Sequence, residues 1–77
     1  MINSTYTLDN KYSDGDHLIT TITIQFTGDI NETVSTSVYH FRPETVEQVY
    51  QNIENRIITE RDRIIARNNI ERLITEL

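Results

Sequence analysis

The order of apolar and polar residues divides this chain in two. Up to Phe41 apolar residues alternate with polar ones, the two-residue period of half-buried strands; beyond Pro43 they recur three and four positions apart, as on one side of a helix. The alternation predicts three strands, at about Ser4–Tyr12, His17–Thr27 and Thr33–Phe41. Asp14-Gly15 between the first two is a strong signal for a two-residue hairpin, and Thr27-Gly28-Asp29-Ile30-Asn31-Glu32 makes a second, longer turn. Pro43 stops the ladder and suits the first turn of a helix, where Glu44 meets the positive end of the helix dipole.

Side chains alternate across a strand, so the pattern also assigns faces. In the second strand Leu18, Thr20, Ile22, Ile24 and Phe26 share an aliphatic face suited to cover by a helix, and Val34 and Val38 join it if the second turn sets Phe26 opposite Val34. A turn closed by Asp14-Gly15 pairs Tyr12 with His17, Leu8 with Thr21 and Tyr6 with Thr23. The other face then holds Tyr6, Leu8, Tyr12, Ile19, Tyr39 and Phe41. Strand 3 is the sensitive step, because a one-residue slip would exchange its faces.

In the helical part, Val46, Val49, Tyr50, Ile53, Ile57 and Ile64 form one stripe, the expected core face. Ile58 and Ile65 widen it. After Ala66 the phase changes, and Ile70, Leu73, Ile74 and Leu77 point to another side. Asn68-Asn69 at this break fits either a helical hairpin, with Asn69 as a cap, or one long helix serving two partners; capping chemistry slightly favours the hairpin. The fold class is α+β: one domain, 1–77, with a three-stranded antiparallel meander (1–42) and a C-terminal helix or helical hairpin (43–77) packed on one sheet face.

Composition narrows the function. There is no Cys, hence no disulfide framework or cysteine metal site. No apolar run approaches the ~20 residues of a membrane span, and Met1–Thr5 lacks the basic and apolar regions of a signal peptide. The expectation is a soluble intracellular protein, cytoplasmic or part of a virus particle. The net charge of −5 disfavours nucleic acid as a partner. A core of this size is marginal alone, and association is a natural remedy.

Catalytic constellations are missing. Asp14-Gly15-Asp16-His17 gathers two carboxylates and an imidazole, but a tight turn points the carboxylates apart, and hairpin chemistry explains these residues. Neither His17 nor His40 has a nucleophile or acid nearby in sequence, and no phosphate-binding, zinc-protease or dinucleotide motif occurs. No enzyme activity, metal or cofactor is expected.

What stands out is surplus apolar surface. Tyr6, Tyr12, Tyr39 and Phe41 on the sheet and Ile58, Ile65, Ile70, Leu73, Ile74 and Leu77 on the helix are the expected interface residues. Arg56, Glu60, Arg63, Arg67 and Glu71 form one stripe beside the apolar seam, suited to ion pairs with a neighbouring chain or to internal pairs such as Arg56–Glu60 and Arg67–Glu71. The leading expectation is a non-enzymatic module that assembles with itself, as a homo-oligomer, or with a larger protein complex. In size and style the chain is similar to small phage-encoded structural or accessory proteins. An alternative is a small acidic inhibitor or adaptor that covers a basic, nucleic-acid-binding surface on a host protein through Asp9, Asp14, Asp16, Asp29 and Glu32. A third is weak single-stranded RNA binding, with bases stacked on the sheet tyrosines.

Overall fold

A computed structural model describes all residues, Met1–Leu77. It contains strands β1 (Ile2–Asp14), β2 (His17–Gly28) and β3 (Glu32–Phe41), then a single helix α1 (Val46–Glu76). The strands form an antiparallel sheet in the order β1-β2-β3, and α1 lies across one face. The α+β meander-plus-helix architecture is therefore the one expected. The molecule is elongated, 49 × 21 × 17 Å.

One helix, rather than a hairpin, follows Pro43. The segment 44–77 contains no Gly or Pro. Asn68 and Asn69 each cost only a fraction of a kcal/mol inside a helix, less than a broken helix and a second nucleation. The start is capped: the Thr45 hydroxyl accepts from the Gln48 backbone N–H, and the Gln48 side chain accepts from Thr45 N–H in return. Just before it, Arg42 takes a left-handed φ of 44° and ties β3 to the first hairpin, donating its backbone N–H to Asp16 O and its guanidinium to Asp16 Oδ2, both at 3.0 Å.

The first hairpin loop is Gly15-Asp16, flanked by the pair Asp14–His17, one residue later than expected. Gly15 supplies the positive φ of 63°. This shift alone keeps Tyr12 on its predicted face, opposite Ile19. A bulge between Leu8 and Asn10 then changes the register, so Leu8 faces Ile22 and Tyr6 faces Ile24. Tyr6 and Leu8 thus lie on the helix side of the sheet, not on the open face with Tyr12, Tyr39 and Phe41. The extra residue is Asp9, whose carboxylate accepts from the hydroxyls of Thr7 (3.0 Å) and Thr23 (2.5 Å).

Strand β3 keeps its predicted faces, with a two-residue offset in pairing: Phe26 opposes Glu32, and Ile24 opposes Val34. At the far end, Gly28 (φ 96°) passes so close to Met1 that a Cβ there would run into the Met1 carbonyl. The core lies between sheet and helix and consists of Ile22, Ile24, Phe26, Val38, Ile53, Ile57 and Ile64. Of the expected helix stripe, Val49 is half-buried, while Val46 and Tyr50 are exposed beside the sheet's end.

Candidate functional site

The helix is held on the sheet asymmetrically, and that asymmetry produces the surfaces of interest. Along the β3 side the contacts are polar. His40, fully buried, bonds through Nε2 to the Thr20 hydroxyl at 2.9 Å and through Nδ1 to Asn52 Nδ2 at 3.0 Å. Arg56 donates to Thr36 Oγ1 at 2.7 Å and to Glu60 Oε1 at 2.9 Å, and Arg63 reaches both Glu60 oxygens. Nearer the C-terminus Arg67 clasps the Glu32 carboxylate with both terminal nitrogens, at 2.6 and 3.2 Å. Burial pushes the His40 imidazole below its ordinary 6.5, and the Arg67 bond holds the Glu32 carboxyl below the usual carboxylate range.

These contacts use much of the expected ion-pair stripe inside the chain. Both predicted internal pairs form, Arg56–Glu60 at 2.9 Å and Arg67–Glu71 at 3.9 Å. Glu60 itself is buried, since the spacing Ile53, Ile57, Glu60, Ile64 puts it on the core stripe. His40 follows the alternation Val34, Thr36, Val38, His40 onto the covered face. Neither residue was singled out from the sequence for burial, although both periodicities carry that signal.

Along the β1 side there is no hydrogen bond or ion pair between helix and strand. Instead two open cavities run end to end. One, of about 350 Å³, is lined by Ser4, Tyr6, Glu54, Ile57 and Ile58. The other, of about 230 Å³, includes Leu8, Leu18, Tyr50 and Ile53. Together they form a groove with exposed apolar side chains from both elements: Tyr6 and Leu8 from the strand, Tyr50 and Ile58 from the helix.

Two further apolar regions are uncovered. The last buried helix residue is Ile64, with Ile65 half-buried, and every residue from Ala66 to Leu77 is exposed. The final turns therefore project past the sheet carrying Ile70, Leu73, Ile74 and Leu77 on one side. On the open sheet face, Tyr12 and Tyr39 flank the buried Ile19, while Phe41 stacks tilted against His17 and under the Arg42 guanidinium. The rest of that face is polar, mostly Thr and Ser with Asn3, Asn10, Asp14 and Gln25, and Thr23 is bonded to Ser35.

The expected interface residues thus fall in three places. Tyr12, Tyr39 and Phe41 are together on the open face. Tyr6 and Ile58 are together in the groove, with Ile65 farther along the helix, and the remaining four are on the projecting tip. Tyr6 stands apart from the other tyrosines, and Lys11 is on the helix side opposite Thr20, so the aromatic cluster has Arg42 as its nearby base. Four of the five acids of the inhibitor alternative are engaged within the chain: Asp9 by two threonines, Asp16 by Arg42, Asp29 by the Met1 amino group and Glu32 by Arg67, while Asp14 has no side-chain partner. No group of three or more His, Cys, Asp or Glu is placed to hold a metal ion, and no helix is long and apolar enough to cross a membrane.

Comparison with protein-family models, curated proteins and solved structures finds no match for this chain.

Proposed function

We propose that this protein is a non-enzymatic assembly module, a small structural or accessory protein that joins copies of itself or docks on a larger protein complex. The observation that carries this reading is the projecting end of α1. A helix that has left its sheet gains nothing from Ile70, Leu73, Ile74 and Leu77, and a continuous exposed apolar side of this kind is the surface a partner covers. The spacing of three, one and three is that of a helix seam. The groove and the aromatic cluster supply further uncovered apolar surface on a chain whose core is small.

The test is absolute mass in solution, by light scattering, for the wild type and for L73D/I74D. Both sites are exposed, so the variant should stay folded, with an unfolding free energy lowered by only about 1–2 kcal/mol, the cost of two aspartates in the last turn of a helix. An assembly that survives high salt and is lost in the variant supports the reading, because apolar contacts are not screened. A wild type of single-copy mass that also holds no protein partner lost on L73D/I74D would overturn it.

A further inference from the structure

Two independent features of the β1 side point to the same two-fold axis. The first is on the helix. Glu54 lines the groove, and Arg61, seven residues on, stands at the other end of the same helix side, so the two flank Ile57 and Ile58. Glu54 has no hydrogen-bond or ion-pair partner in the chain, and Arg61 is held by its immediate neighbour Asp62 alone. When a second copy of the helix runs antiparallel beside the first, about an axis between Ile57 and Ile58, each Glu54 meets the other copy's Arg61. Tyr50 then lies level with the other copy's Ile65, and the two exposed Ile58 side chains flank the axis while each Ile57 stays in its own core.

The second feature is on the strand. β1 is an edge, with its outer row of backbone groups unpaired. It pairs regularly with β2 from Ile2 to Leu8, before the bulge at Asp9. The middle of that regular stretch is Thr5. Ser4 and Tyr6, on either side of it, line the same cavity as Ile57 and Ile58. An axis normal to the sheet at Thr5 therefore passes beside the helix at Ile57 and Ile58.

We infer that the β1 edge and its groove form a two-fold interface with a second copy of this chain. The two β1 strands pair antiparallel over Ile2–Leu8, giving a six-stranded sheet with both helices on one face. The groove closes over Tyr6, Leu8, Tyr50 and Ile58 of both copies, and two Glu54–Arg61 pairs bridge it. The bulge at Asp9 ends the pairing, and the opposite edge, β3, is tied to its own helix through Thr36 and Glu32. A closed two-fold arrangement removes one exposed edge from each copy without opening the way to a filament. This interface deepens the self-association half of the proposed function and rests on it, but it uses a surface distinct from the projecting helix tip.

Charge reversal tests it. Glu54 and Arg61 are two helical turns apart, about 10 Å along the axis, so they do not pair within one copy, and rescue between them reports on a neighbour. In sedimentation or light-scattering titrations, E54R and R61E should each raise the dissociation constant of the pair at least about tenfold, and E54R/R61E should recover most of that loss. I58D, which sets two carboxylates beside the axis, should also abolish the pair. Each variant is checked for unchanged helix content and urea midpoint at a dilution where the wild type is itself a single copy. A wild type that stays single at every concentration, or single reversals that leave the mass unchanged, would overturn the interface. Assembly lost on L73D/I74D but indifferent to E54R would refute this interface and leave the proposed function standing.

Discussion

The two flanks of α1 solve opposite problems. On the β3 flank, polar groups of the helix meet polar groups of the sheet one for one: Asn52 with His40, Arg56 with Thr36, Arg67 with Glu32. No buried side-chain nitrogen or oxygen is left without a partner. Such contacts add little net stability each, but a misplaced helix would leave them unpaired, so they fix where the helix sits. On the β1 flank there are no polar contacts, and the apolar side chains reach past each other into open cavities. One flank specifies position within the chain. The other leaves apolar side chains of strand and helix uncovered.

The sharpest way to break this comparison uses one residue type at two places on the same helix. Ile53 is fully buried beneath the helix, whereas Ile58, five residues on, is 46% exposed at the groove. Ile53→Ala should cost about 2–5 kcal/mol in urea unfolding, from lost transfer energy and a cavity in a small core. Ile58→Ala should cost well under about 1 kcal/mol in a dilute single copy, and its effect should appear in concentration-dependent mass instead. Equal losses at the two positions would mean that the β1 flank is part of the fold's own core.

A smaller effect is expected from the polar flank. Arg56→Ala removes the donor shared by Thr36 and Glu60. The Glu60 carboxylate, only 6% exposed, then depends on Arg63 alone. Leaving a buried acceptor short of a partner costs about 1–3 kcal/mol. Arg56→Lys should restore only part of it, because an ammonium does not reproduce the fork that reaches a carboxylate and a hydroxyl together. An Arg56→Ala protein as stable as wild type would show that these pairs contribute nothing to holding the helix.

How much of this was legible in the sequence differs between the same two flanks. Alternation and helical spacing sufficed for the three strands, the helix after Pro43 and the aliphatic face of β2. The β3 flank was half legible: His40 and Glu60 stand at covered positions of their respective periods, but a histidine and a glutamate are ordinarily read as surface residues. The β1 flank was hidden by the bulge at Asp9. Tyr6, Leu8 and Tyr12 all occupy even positions, so their spacing betrays no change of face. The change is made by hydroxyls of Thr7 and Thr23 gathering round a carboxylate, a contact that sequence spacing does not encode. At Asn68-Asn69 the sequence left one helix and a hairpin both open, and the structure has one helix. A local capping preference was outweighed by the cooperativity of a helix without Gly or Pro.

The smallest effect is a titration of the polar flank. With Asn52 donating to Nδ1, the His40 ring proton sits on Nε2 and is donated to the Thr20 hydroxyl, so the buried ring is neutral. A second proton would arrive at Nδ1 facing the Asn52 amide donor, on a fully buried side chain. Burial accordingly lowers the folded value from 6.5, and the unfolded chain takes up its proton first. Stability rises with pH wherever the unfolded state binds more protons. The helix anchor should therefore weaken as pH falls from about 6.5 toward the folded value and level off below it. Glu32 acts in a lower window: its carboxyl, held down by Arg67, contributes stability above 4.5 that is lost as pH falls through its folded value. Urea midpoints measured from about pH 7.5 to 5 should fall in the wild type and lose most of that slope in His40→Gln. A slope that survives His40→Gln unchanged would move the titration to another group and leave the β3 flank insensitive to pH in that range.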